Sequence, residues 1–243
     1  MKINNNSTLY NNHYSLSIRF STDGFSLYVW DKDQKLLSSY NTEINIFDKT
    51  ETEIFDILSN QEELKLDFKS IRFIVENSFF SLIPAPFFNT EMGTEILKFK
   101  FQDFPKEDAI LNNKIIPWDA LIVFTCKPAI YNAIKKVLPK LRIEHHLFSF
   151  ITNNIPLNNH SGVYVRFRKE LFDVIVIIDG KPMLVNTFTA QTPEDFLYYI
   201  LQIIENFKLD KSIDLTIFNA EKKANHLQLV KKYLTNCETK TEI

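Results

Sequence analysis

The chain has 243 residues, 45% of them hydrophobic and 14% aromatic, which is enough apolar material to bury a substantial core. Its formal net charge of −2 gives no overall field that would attract nucleic acid or anionic lipid. Only 4 glycines occur, far below the average of about 7%, whereas backbones that wrap phosphate usually need several.

The start of the chain is polar, and its longest apolar runs are short, such as VIVII and ALIVF. These features predict a soluble cytoplasmic protein without direct membrane insertion. Cys126 and Cys237 lie far apart and match no metal-ligand or redox spacing, which suits a reducing compartment.

The first half begins with a predicted unit of three strands. From Ser15 to Phe20 apolar residues alternate with polar ones, which indicates a strand with one apolar face. A second strand, Phe25 to Trp30, a tight turn at residues 32–34 and a third strand follow. Thr50 or Thr52 then caps a predicted helix that carries acids in its first turn.

The rest of the first half completes the unit with a fourth strand and then adds elements that the second half lacks. Residues 64–77 predict a fourth strand, and the stretch ALIVFTCKPAIYNAIKKVL predicts a further strand and helix. Residues 153–162, NNIPLNNHSG, are rich in asparagine and contain a proline, which indicates a linker. We therefore expect two domains, residues 1–155 and 156–243.

The second half repeats the plan of the first. Strands are predicted at Val163 to Phe167 and Phe172 to Ile178, with a tight turn at residues 179–181. Thr192 caps the next helix, with a proline at its first position. Residues 207–219 share K-L-D, K-S-I and a closing asparagine with residues 64–77, after one gap. A unit of the form β-β-β-α-β thus occurs twice.

This duplication resembles the actin-like ATPases, in which two ribonuclease-H-like halves face each other across a nucleotide cleft. The closest resemblance is to the pilus-assembly actin-like proteins, whose first hairpin has the pattern G-I-D-I-G-S-S-S-V-K. Residues 17–26, SIRFSTDGFS, correspond to that hairpin, and residues 165–182, VRFRKELFDVIVIIDGKP, resemble the strand and D-G-R-P hairpin of the second half. The sequence also resembles a family of uncharacterised bacterial proteins with this fold.

The resemblance implies an α/β protein with duplicated βββαβ ribonuclease-H-like halves, an actin-like ATPase fold in a minimal version with a shorter second half. In the ATPases that it resembles, an acidic residue in each first strand organises Mg²⁺ and the attacking water. Arg19 and Arg166 stand at those two positions here. Because arginine stays protonated and repels a cation, a metal would find no ligand there. The resemblance therefore implies a pseudo-ATPase without a metal or nucleotide cofactor.

The phosphate-binding positions of the resembling proteins are also altered. Their glycines correspond to Ser21 and Arg168, and their phosphate-contacting lysine corresponds to Ser26. The glycine-rich adenosine turn becomes residues 217–223, IFNAEKK, which contain no glycine. Gly24 is better explained by a turn than by a phosphate loop.

Arg19 and Arg166 leave two interpretations open. They could clamp an anion such as a phosphate or a partner's carboxylate, since guanidinium groups form bidentate bonds, or each could pair with a nearby acid. His145 and His146 are expected to be a poor metal pair, because adjacent side chains of a strand point to opposite faces.

The sequence favours a non-catalytic scaffold that works through protein partners. It contains no nucleophilic triad or G-x-S-x-G motif, which leaves nucleophilic catalysis without support. The alternative is a divergent nucleotide- or anion-binding protein that uses Arg19 and Arg166.

Overall fold

The computed structural model describes residues 14–21, 24–33, 35–65, 68–139, 141–221 and 223–242. The chain forms two compact units, one of residues 1–114 and 121–149 and the other of residues 115–120 and 150–243. The longer segment of the second unit begins at residue 150, whereas the second domain is predicted to begin at residue 156. The predicted polar start of the chain, Asp23 before Gly24 and the last residue of the turn at 32–34 lie outside the described residues.

Strands and helices alternate along the chain as follows. The strands are β1 (Ser15–Ser21), β2 (Gly24–Trp30), β3 (Leu36–Thr42), β4 (Ser70–Val75), β5 (Phe80–Pro84), β6 (Ala109–Ile115), β7 (Ala120–Cys126), β8 (Ile143–His145), β9 (Gly162–Phe167), β10 (Leu171–Ile178), β11 (Lys181–Thr189), β12 (Leu215–Phe218) and β13 (Cys237–Lys240). The helices are α1 (Glu51–Ser59), α2 (Thr90–Lys100), α3 (Pro128–Val137), α4 (His146–Asn154), α5 (Pro193–Asn206) and α6 (Ala224–Val230).

Two five-stranded sheets share one topology. Their strand orders are β3-β2-β1-β4-β8 and β11-β10-β9-β12-β13. In each sheet the first three strands are antiparallel, and the last two run parallel to the central strand. The predicted duplication is therefore confirmed, and each copy gains a fifth strand beyond the β-β-β-α-β unit.

The strand register makes Arg19 and Arg166 equivalent. Arg19 of β1 lies opposite Ser26 of β2 and Ile74 of β4. Arg166 of β9 lies opposite Asp173 of β10 and Phe218 of β12. The opposing residue on the hairpin partner is seven positions later in both halves.

The same register corrects one detail of the sequence match. Since Ile74 corresponds to Phe218, Asn219 corresponds to Val75. Asn77 lies two residues further along the first copy. The two closing asparagines are therefore not equivalent, although the strands that precede them are.

The helix that follows the third strand of each copy begins at a capping box. The Thr50 hydroxyl accepts a hydrogen bond from the Glu53 backbone N–H, and the Glu53 carboxylate accepts one from the Thr50 backbone N–H. Thr192 and Asp195 make the same reciprocal pair at the start of α5. Thr50, rather than Thr52, is therefore the cap of α1.

Apolar helix faces complete the cores. Ile54 and Leu58 of α1 are buried, as are Phe196, Ile200 and Ile203 of α5. Burying a side chain of this size contributes about 1.5–3 kcal/mol. The helices thus cover one face of the sheet in their own unit.

The additional elements of the first half form a third sheet, with strand order β5-β7-β6. Every residue of β7 is buried. Ile83, Leu97, Leu121 and Val123 form a small core that joins this sheet to α2. This insertion between β4 and β8 makes the second half the shorter copy.

Candidate functional site

Arg166 lies at the centre of a buried ionic network in the second unit. Its side chain is 1% exposed. Its Nε donates to Oε2 of Glu242 at 2.8 Å, and its Nη1 lies 3.6 Å from Oδ2 of Asp173. The guanidinium carbon lies 5.4 Å from the ring centre of Phe150. Two carboxylates and an aromatic face therefore surround the charge.

A second arginine belongs to this network. Arg168 Nη2 donates to Oδ1 of Asp173 at 2.9 Å, and the Thr187 hydroxyl donates to the same oxygen at 2.6 Å. Asn219 Nδ2 donates to Oε2 of Glu242 at 2.9 Å. Two guanidinium groups and two carboxylates thus balance in charge, as buried ions require.

In the first unit Arg19 pairs with Glu76. Its Nη2 donates to Oε1 of Glu76 at 2.5 Å, and the two side chains are 28% and 7% exposed. At the positions equivalent to Arg168 and Asp173 the first copy has Ser21 and Ser26, and the Ser21 hydroxyl donates to the Gly24 carbonyl at 3.2 Å. The first copy therefore has two serines where the second copy has an arginine and an aspartate.

Both arginines therefore contact acids of their own unit. The sequence left this open beside anion binding, and the clamp at Arg19 and Arg166 stays a prediction. Asp173 could have been found from the sequence, because the hairpin pairing places it opposite Arg166. Glu76 and Glu242 follow parallel strands and carry no sequence signal of their own.

Gly24 has a steric role at the start of β2. Its φ of +138° lies in a region that other residues rarely adopt. A Cβ built on it would lie 1.8 Å from the Thr42 carbonyl oxygen. Close approach of two strands, rather than contact with phosphate, accounts for this glycine.

The turn after β12 takes the place of the glycine-rich turn. Asn219 has φ +57° and supplies the left-handed conformation, which asparagine tolerates better than most residues. Beside it a surface cavity of about 400 Å³ is lined by Ala220, Glu221, Ala224, Leu227 and residues 239–241. Lys222, within the predicted turn, lies outside the described residues.

The histidine prediction was wrong in its geometry. His145 ends β8 and His146 begins α4, so strand alternation does not apply, and their ring centres lie 4.3 Å apart. Both are buried, and the His145 ring lies 5.0 Å from those of Phe80 and Phe124. Among the residues that the structure describes, no group of three or more His, Cys, Asp or Glu could hold a metal ion.

Both cysteines are free thiols. Burial, with the nearby Asp108 carboxylate, raises the pKa of Cys126 to about 12. Burial also raises the pKa of Cys237. No helix in the described part of the chain is long and apolar enough to cross a membrane.

Comparison with known proteins identifies the fold. The family model described as "Protein of unknown function (DUF3822)" matches residues 3–237. No curated protein matches the chain. A solved protein with actin-like ATPase fold and unknown function from Bacteroides thetaiotaomicron has a TM-score of 0.78 at 20% identity, covering 95% of this chain and 91% of that chain.

Two further structures are similar at lower scores. The PilM-PilN type IV pilus biogenesis complex has a TM-score of 0.54 at 12% identity, covering 93% of this chain and 88% of that chain. The ethanolamine utilization protein EutJ from Carboxydothermus hydrogenoformans has a TM-score of 0.53 at 9% identity, covering 95% of this chain and 85% of that chain. The predicted actin-like ATPase fold is confirmed.

Proposed function

This chain belongs to the DUF3822 family of proteins of unknown function, and we propose that it is a non-catalytic pseudo-ATPase that acts as a protein-interaction scaffold in the bacterial cytoplasm. The observation that carries the proposal is the pairing at the two positions where the resembling ATPases have acids. Arg19 bonds to Glu76, and Arg166 bonds to Glu242 inside a buried network.

The chemistry of these pairs opposes metal binding. Mg²⁺ takes oxygen ligands from carboxylates and phosphates. Asp173 and Glu242 offer such oxygens, but one oxygen of each already accepts a guanidinium hydrogen bond, at 2.9 Å for Asp173 and 2.8 Å for Glu242. Recruiting either carboxylate to a cation would leave a buried arginine without its counter-charge, which is strongly unfavourable.

A protein partner is known for one of the structures with a similar fold. The solved PilM structure is a complex with another protein, PilN. We extend protein contact as the mode of action to this chain, without nucleic acid or membrane insertion. Its net charge of −2 gives no support to nucleic-acid binding. The two free cysteines suit the proposed reducing compartment.

A thermal-shift titration with ATP and Mg²⁺ tests the proposal. A ligand at ten times its Kd stabilises by about 1.4 kcal/mol, which corresponds to about 3–6 °C for a chain of this size. We expect a shift well below this at millimolar nucleotide. A full shift that Arg19→Gln abolishes and the control Arg72→Gln retains would contradict the proposal.

The alternative function is anion binding without metal. Arg19 favours it more than Arg166 does, because its side chain is 28% exposed rather than 1%. Inorganic phosphate would then raise the melting temperature equally with and without a chelator. Loss of that effect in Arg19→Gln would support an anion site, whereas no phosphate effect in the wild type would exclude it.

A further inference from the structure

The strand β3 forms one edge of the first sheet. It pairs with β2 on one side and has no strand on its other side among the residues that the structure describes. The register shifts between Val29 and Trp30, so regular pairing runs from Ser38 to Thr42. Every second residue of such a strand directs its backbone N–H and C=O away from the sheet, where they can pair with another strand.

This edge lacks the features that usually prevent association. Residues 38–42, SSYNT, include no charged residue and no proline. The other edges of the two five-stranded sheets are protected: β8 has 3 residues, β11 starts with Lys181 and Pro182, and β13 has 4 residues including Glu238 and Lys240. Charges, prolines and short length are the common protections of edge strands.

Exposed apolar side chains lie on this edge strand and beside it. Leu36, Leu37 and Tyr40 are each 43% exposed, and Ile44 is 37% exposed. All four belong to β3 or to the segment directly after it. Covering these side chains would remove apolar surface from water, which is the main driving force of association.

Opposite charges flank the edge at its two ends. Lys35 precedes β3, and Glu43 follows it. The backbone N–H of Lys35 donates to the Asp31 carboxylate at 2.9 Å, which fixes the turn before the strand. Lys35 and Glu43 are both exposed. In an antiparallel pair of identical strands, the start of each strand lies beside the end of the other.

We propose that two copies of this chain associate through antiparallel pairing of their β3 strands. With Ser39 opposite Ser39 on a two-fold axis, Lys35 of each copy lies beside Glu43 of the other. The first sheet of one copy then continues into the first sheet of the other copy, which gives one sheet of about ten strands. Within the first sheet β2 separates this edge from β1, which carries Arg19, and the pairing of β3 strands stands independently of the proposed function.

The interface is small, so association is expected to be weak and concentration-dependent. The test is sedimentation equilibrium of the full chain up to about 0.5 mM, a range suited to weak contacts. The wild type is expected to dimerise with increasing concentration. Lys35→Glu and Glu43→Lys are each expected to weaken dimerisation roughly five- to thirtyfold, because two attractive pairs become repulsive.

The decisive arm is a mixture of the two variants. Mixed in equal amounts, Lys35→Glu and Glu43→Lys form two Glu–Lys pairs, and dimerisation is expected to return close to that of the wild type. The variant with both substitutions also regains opposite charges. Lys181→Glu, at the edge strand β11 of the second unit, is the matched control and should leave the wild-type association unchanged.

Three results would overturn the proposal. They are a wild-type chain that is monomeric throughout, dimerisation that neither variant weakens, and variants that the mixture does not restore. Ser39→Lys, in the centre of the edge, provides a second check, because a lysine at the two-fold axis faces its own copy. Circular dichroism confirms that each variant is folded.

Discussion

Replacing Glu242 by alanine is expected to destabilise the second unit by about 2–3 kcal/mol. Its Oε2 accepts from Arg166 Nε at 2.8 Å and from Asn219 Nδ2 at 2.9 Å. Hydrogen bonds to charged groups contribute about 1.5–3 kcal/mol each, and breaking a fully buried ion pair costs about 3–5 kcal/mol. The Glu242 side chain is 21% exposed and Asp173 remains 3.6 Å from Arg166, which lowers the expected loss.

The conservative substitution separates charge from shape. Glu242→Gln keeps one oxygen acceptor but removes the negative charge, so we expect a loss of about 1–2 kcal/mol. The measurement is urea unfolding followed by circular dichroism. Acetate in the buffer should restore part of the stability of Glu242→Ala, because a small carboxylate can occupy the vacated position.

The matched control is Glu238→Ala on β13. Glu238 accepts a hydrogen bond from the Thr216 hydroxyl at 2.9 Å, which contributes about 0.5–1.5 kcal/mol. Its side chain is 55% exposed and pairs with Lys240 at 2.6 Å. An exposed pair of this kind contributes about 0–1 kcal/mol. If Glu242→Ala costs no more than Glu238→Ala, the buried network does not stabilise the unit as argued.

Three further predictions concern local structure and pH. Thr192→Ala removes the cap of α5 and should cost about 1 kcal/mol in thermal unfolding; an unchanged melting temperature would contradict the capping geometry. Gly24→Ala should cost more than about 1 kcal/mol because its Cβ would meet the Thr42 carbonyl at 1.8 Å, and a neutral result would refute the close approach. A hydrogen bond from the Thr50 backbone N–H, with a smaller contribution from the Lys49 side chain, lowers the pKa of Glu53 from 4.5 to about 2. The ionised Glu53 carboxylate therefore stabilises the fold fully above pH 4.5, and this stabilisation declines toward pH 2. Glu53→Gln should reduce the fall in the free energy of unfolding between pH 4.5 and pH 2, and an unchanged pH dependence would contradict the role of Glu53.

The sequence predicted the fold well because local signals agreed with each other. Strand alternation and the Thr192 cap pointed to two copies of one unit, which the shared strand order confirms. The K-S-I segments are offset by two residues, because Ile71 corresponds to Leu215 in the strand register, and residues 66–67 of the first K-L-D segment lie outside the described residues. A strand was expected at His145 and His146, but β8 has 3 residues and ends at His145. The fifth strand of the second copy, β13, was missed, and it has 4 residues. Such short strands carry too little alternation to be recognised.

The candidate site was predicted in part. Arg19 and Arg166 occupy equivalent positions, as their repeat context indicated. Their acidic partners Glu76 and Glu242 are 57 and 76 residues away in sequence, and only the folded sheets bring them together. The pairing of His145 with His146 was missed because the strand ends between them, which periodicity could not show.

The central claim is that Arg19 and Arg166 have replaced ATPase chemistry in this fold. Isothermal titration calorimetry of the full chain with ATP and excess Mg²⁺ tests it most directly. We predict no saturable heat at millimolar nucleotide. Saturable binding that disappears with a chelator and leaves inorganic phosphate as a product would contradict the claim.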